Sequence, residues 1–155
     1  MVRVAIALGS NLGDRAAHLD YAVSRLSTFL FSLSVSRRHD TEPVGVGVQP
    51  TFLNGAVVGE TGLSPRELFE TLQTIERERG RERPFPGAAR TLDLDLILYG
   101  NRIIDEPGLT VPHPRFRERT FVLGPLAEIA PELVDPVSGL TVRDLLREVP
   151  SAGRD

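Results

Sequence analysis

Two aspartates, Asp93 and Asp95, sit inside the run Arg-Thr-Leu-Asp-Leu-Asp-Leu-Ile-Leu-Tyr at positions 90–99. The run has strand length, and the turn signal Gly100-Asn101 closes it. Strand alternation puts Leu92, Leu94, Leu96 and Leu98 on one face and Asp93, Asp95, Ile97 and Tyr99 on the other. Carboxylates two residues apart on a strand lie about 7 Å from each other. They repel unless a cation or solvent intervenes. Hard oxygen donors of this kind suit Mg²⁺, which binds through one or two carboxylates plus substrate phosphates. A wet face with solvated aspartates accounts for the spacing equally well. Asp is disfavoured in strands, however, and two of them in so apolar a run favour a site.

The cationic residues are all arginine, 18 of them, with no lysine. That excludes a P-loop lysine and Schiff-base chemistry. A phosphate would have to be held by Arg, backbone amides, His or metal, and the planar guanidinium suits phosphate oxygens. The run from Arg77 to Arg83 reads first as a solvated helix end. Asn54 lies in an otherwise apolar strand, where it is either a bonded core residue or a recognition group. His113, between Pro112 and Pro114, means little alone.

The elements that must position these residues follow from periodicity. Val2, Val4, Ile6 and Leu8 alternate as a first strand. Gly9 to Asp14 reads as a turn and a helix follows from about Arg15, its apolar stripe running through Leu19, Ala22, Val23, Leu26, Phe29 and Leu30. Leu33 to His39 reads as a second strand and Phe52 to Glu60 as a third, joined by a long loop, Asp40 to Thr51, with Pro43, Gly45, Gly47 and Pro50. Ser64-Pro65-Arg66-Glu67 is a capping box opening a helix that Gly80 closes. A second loop rich in Pro and Gly precedes Arg90. Ile103 and Ile104 are expected to pair back across Gly100-Asn101 as a hairpin strand. Two helices are expected to follow, Phe121 to Ala130 and one opening at Thr141. Up to Tyr99 the order is β-α-β-β-α-β, so the expected fold is α+β: a ferredoxin-like βαββαβ core with an antiparallel sheet. Both core helices should cover one sheet face, and the C-terminal hairpin strand and helices should wrap an edge.

Bulk properties are those of one globular domain over 1–150 with a flexible tail at 151–155. A net charge of −3 gives no general attraction to nucleic acid or membrane. The absence of cysteine excludes disulfides and thiol catalysis. No apolar stretch reaches about 18 residues, and the N-terminus reads as a strand rather than a signal peptide, so a cytoplasmic protein is the default.

Taken together, Arg90-Thr-Leu-Asp93-Leu-Asp95-Leu resembles the signature of the 6-hydroxymethyl-7,8-dihydropterin pyrophosphokinases of folate biosynthesis. Ala7 to Gly13, Phe52-Leu53-Asn54, Gln73 with Glu76, Val111-Pro112-His113 and Arg119 followed by Phe121-Val122-Leu123 extend the resemblance over nearly the whole chain. The resemblance implies pyrophosphate transfer from ATP to the pterin hydroxymethyl group, release of AMP and two Mg²⁺ ions, and a monomer is expected. It implies that Asp93 and Asp95 hold the metals and, with Arg81 and Arg90, form the catalytic group. It places Gln73, Glu76, Arg83, Ile97, His113 and Arg119 on the ATP side and Thr41, Pro43, Val44, Phe52, Asn54 and Phe121 around the pterin.

Three departures stand out. The family often has a Trp in the loop before the motif arginine, where this chain offers only Phe85. Phe52 replaces a common Tyr, and Pro114 replaces an aromatic after the histidine. Another Mg²⁺-dependent phosphotransferase, or a nucleotide-binding module without catalysis, are the rival readings of the same residues.

Overall fold

The computed structural model describes residues 1–41, 51–80 and 91–150. Its main sheet has the order β2-β4-β1-β5, built from Phe31–Val35 (β2), Phe52–Thr61 (β4), Val2–Ser10 (β1) and Asp93–Tyr99 (β5), with His39–Thr41 (β3) also pairing β4. All these pairings are antiparallel. The expected ferredoxin-like order holds, with the predicted second strand divided into β2 and β3. The division falls at Ser36, whose hydroxyl accepts the Ala56 N–H at 2.9 Å.

Two helices form where the caps predict them. Asp14 accepts the Ala17 N–H and opens Arg15–Leu26 (α1), which ends before Phe29 and Leu30 rather than including them. Ser64 and Glu67 make the reciprocal capping box of Pro65–Glu78 (α2). Both helices cover one sheet face. Leu19, Ala22, Leu26, Leu68, Leu72 and Ile75 bury against Val4, Ile6, Leu8, Val57, Leu94 and Leu96.

The second sheet face carries helices as well. Thr120–Ile129 (α3) and Val142–Glu148 (α4) cover its outer half, where Val122, Leu123, Leu126, Val142 and Leu145 bury with Ala5, Ala56, Val58, Ile97 and Leu98. The expectation that the C-terminal part wraps an edge holds only for a hairpin, Ile104–Glu106 (β6) and Leu109–Val111 (β7). That hairpin turns at Gly108, with φ +75, and not at Gly100. Ile103 does not pair with β5 and is 64% exposed, because Gly100 donates to the Arg3 carbonyl and Arg102 to that of Tyr99, which turns the chain away.

The alternation read for 92–99 fails at one step. Ala5 pairs with Leu98 and Ile6 with Leu96, so Ile97 is a β-bulge residue. Beyond it the faces exchange: Leu98 turns to the second core, and Tyr99 joins the first core, its hydroxyl donating to the Leu63 carbonyl. Asp93 and Asp95 precede the bulge and keep their predicted face.

Candidate active site

On the second face, beyond Ala5, β1 carries its small residues Ala7 and Gly9. Gly9 lies between Asn54 of β4 and Asp93 of β5, and Ala7 between Ala56 and Asp95. Partners across a register share a face, so Asn54, Asp93 and Asp95 rise from one floor. A Cβ on Gly9 would stand 3.1 Å from Asn54 Oδ1, so glycine is the residue that lets the amide lie over the strand. The sequence reads Gly9 as the start of a turn, yet it is within β1. The contrast of Ala7 and Gly9 with Ile6 and Leu8 is the signal that marks the floor.

Both aspartates are half-buried. Among the described residues no three His, Cys, Asp or Glu groups gather into a protein-only metal cage. Two partly exposed carboxylates fit Mg²⁺, which takes one or two protein carboxylates together with substrate phosphates. Beneath them, Glu76 is 5% exposed and its Oε2 accepts the Leu94 N–H at 2.8 Å. Gln73, on the same helix, is exposed. Ile97, expected beside nucleotide, is 1% exposed in the second core; its carbonyl accepts the His113 N–H at 3.1 Å and so anchors the His113 segment to β5.

His113 is half-buried and near Asp93. Burial and then the Arg119 charge hold its imidazole below the ordinary value; Asp93 opposes the shift and Arg115 adds to it. The guanidinium of Arg119, the residue capping α3, lies 5.5 Å from the centre of the Phe121 ring. Thus Asp93, His113, Arg119 and Phe121 belong to one neighbourhood although 28 residues separate the first from the last.

On the β4 side, Thr41 pairs with Phe52 and His39 with Asn54. Asn54 is 6% exposed and its Nδ2 donates to Thr41 Oγ1 at 2.5 Å. Arg15, which the sequence reading left aside, donates to Asp40 Oδ1 at 2.6 Å and to the Thr51 carbonyl and hydroxyl at 3.0 Å, joining the two ends of the segment 42–50. Pro43, Val44, Arg81, Arg83 and Arg90 lie outside the described residues.

A family model for 7,8-dihydro-6-hydroxymethylpterin-pyrophosphokinase (HPPK) matches residues 5–131. The chain belongs to this family. As a member it is a pyrophosphokinase of folate synthesis that acts on the hydroxymethyldihydropterin. It is similar to the 2-amino-4-hydroxy-6-hydroxymethyldihydropteridine pyrophosphokinase of Pseudomonas aeruginosa, 39% identical over 153 residues, covering 97% of this chain and 94% of that one. The Bacillus subtilis protein of the same name is 47% identical over 130 residues, with 83% and 78% covered. The folic acid synthesis protein fol1 of Pneumocystis carinii is 38% identical over 147 residues, 94% of this chain but 20% of that protein. In structure, the pyrophosphokinase superposes on Plasmodium falciparum HPPK-DHPS with a TM-score of 0.76 at 14% identity, covering 95% of this chain and 44% of that one, which supports the fold.

Proposed function

We propose that this pyrophosphokinase uses ATP as donor, with Asp93 and Asp95 holding two Mg²⁺ ions, and works as a cytoplasmic monomer built from a single domain over 1–150. The observation that carries this reading is the row Asn54–Gly9–Asp93, a recognition amide and a carboxylate facing the same space across three strands. Bound there, the ions would neutralise phosphate charge and act as Lewis acids.

The rest of the chemistry falls to positioning by the chain. The pterin is flat with amide-like edges. Asn54 and Thr41 supply donors and acceptors for those edges, and Phe52 and Phe121 supply stacking surfaces. The family resemblance assigns Pro43 and Val44 to the same role. The pterin hydroxymethyl oxygen attacks the β-phosphorus of ATP in line, and AMP leaves. Arg81, Arg83, Arg90, His113 and Arg119 spread positive charge and donors along the phosphates, and Gln73 with Glu76 and Ile97 lies on the nucleotide side. Excluding water that otherwise hydrolyses ATP is the role that the family resemblance gives to the segments 42–50 and 81–90.

The test is AMP formation from ATP and Mg²⁺ with and without 6-hydroxymethyl-7,8-dihydropterin. AMP appearing only with the pterin is the expected result. ADP would keep the site and change the reaction, and no turnover by folded protein would remove the catalytic reading.

A further inference from the structure

We propose that Glu128, in the last turn of α3, is a positioning residue for the pterin side of the site: it holds β3 in the place where Thr41 and Asn54 keep their hydrogen bond. The inference rests on the reading that Thr41 and Asn54 meet the pterin.

Among the described residues β3, His39–Thr41, pairs with β4 alone. A strand at the sheet rim is held by backbone bonds on one side. Glu128 supplies two side-chain anchors from the second face, one to the segment leading into β3 and one to β3 itself. Its Oε1 accepts the backbone N–H of Arg37 at 3.1 Å, and its Oε2 lies 2.5 Å from Nε2 of His39. The Arg37 guanidinium adds a contact at 3.6 Å. Burial opposes ionisation of Glu128, but the His39 and Arg37 bonds outweigh it and hold the carboxyl below its ordinary value. Both anchored residues lead directly into the site. His39 stands opposite Asn54, and Thr41 stands opposite Phe52.

What depends on the anchor is the orientation of one amide. Asn54 gives Nδ2 to Thr41, which turns Oδ1 over Gly9. Thr41 Oγ1, having accepted, keeps its own proton to donate elsewhere. The pair therefore offers a ligand one fixed acceptor and one fixed donor. If β3 drifts, the bond is lost and the amide is free to turn over, exchanging donor for acceptor on the ligand's edge. The same helix carries Phe121 at its other end. Displacing Glu128 thus loosens β3 against a helix that also bears a stacking residue of the pocket.

The experiment compares Glu128→Ala, Glu128→Gln, His39→Ala, Asn54→Ala and Glu132→Ala in the full chain. KM for the pterin, KM for ATP, kcat and the thermal midpoint are measured for each. Glu132 pairs with Arg3 at 2.8 Å and also ties the C-terminal region to the sheet, away from β3, so it reports what a lost ion pair does by itself. Glu128→Ala should raise the pterin KM about tenfold, the effect of one lost charged anchor. ATP KM and kcat should stay within about twofold. Glu128→Gln, which still offers an acceptor to Arg37, should recover most of the loss. His39→Ala should raise the pterin KM on its own, and it decides the matter if Glu128→Ala fails to fold. An unchanged pterin KM in Glu128→Ala and His39→Ala, with Asn54→Ala impaired, overturns the positioning role alone. So does a rise that Glu132→Ala reproduces. An unchanged pterin KM in Asn54→Ala overturns the underlying pterin reading.

Discussion

The Glu76 carboxylate accepts the Leu94 N–H at 2.8 Å and so fixes the peptide that joins Asp93 to Leu94, between the two proposed metal ligands. Among the described residues β5 is an end strand of the sheet, with β1 on one side only. Its outward amide would lack a strand partner, and the buried carboxylate supplies one. Glu76→Ala should cost about 1–3 kcal/mol in urea unfolding, the penalty for a buried donor left unmade. It should also raise the Mg²⁺ concentration for half-maximal rate several-fold, and Glu76→Gln should restore both. A loss of stability with an unaltered Mg²⁺ requirement would make the bond purely structural.

Asp95→Ala should lower kcat by about 1,000-fold or more, as expected for lost charge stabilisation at phosphate. Its thermal midpoint should stay close to wild type, because Asp95 is half-exposed and outside both cores. Turnover near the wild-type rate with Mg²⁺ would remove the metal assignment.

Arg90→Ala should slow the chemical step more than it weakens pterin binding. Single-turnover rapid quench gives the first quantity and equilibrium pterin titration the second. A variant that loses only pterin affinity would take Arg90 off the phosphates.

Asp135 is fully buried, and its two oxygens receive Arg117 Nε and Nη2 at 2.5 and 2.9 Å together with the N–H groups of Val137 and Ser138. Burial pushes its pKa up, but the Arg117, Ser138 and Val137 bonds win and bring it from 3.8 down to about 2. The folded value lies below the unfolded one, so the stabilisation is complete above pH 4–5 and is lost as pH falls through about 2, a change of about 2 kcal/mol. Urea unfolding should show wild type and Asp135→Asn well separated at pH 7 and closer together at pH 2. An equal gap at both pH values would assign the stabilisation to packing rather than to the ionised carboxylate.

Much of the fold was legible because its signals are local. The Ser64–Glu67 capping box, the Leu-rich faces and the Asp93–Asp95 spacing depend on neighbours within a few residues. The failures are where distant partners decide. The Ile97 bulge is set by pairing with Ala5 and Ile6, and no property of the run 90–99 announces it. Gly9 looked like a turn because its role, making room for Asn54, is written 45 positions away. Asp93 and Asn54 stood out as polar residues in apolar strands, whereas Glu128 did not, since a glutamate late in a helix is unremarkable until its acceptor role at Arg37 is seen. Resemblance supplied the remaining roles, and for Glu76 and Ile97 it named positions whose burial only three dimensions reveal.

The irregular start of β2 bears on how copies of this chain behave in crowded solution. β2 ends the sheet with Phe31 60% and Val35 42% exposed. Such an edge would template addition of another sheet and growth into aggregates. Ser32 at φ 53, and the register shift between Phe31 and Ser34, break the straight row of donors and acceptors that an incoming strand must match. The kink thus insulates an apolar edge without spending a charge on it.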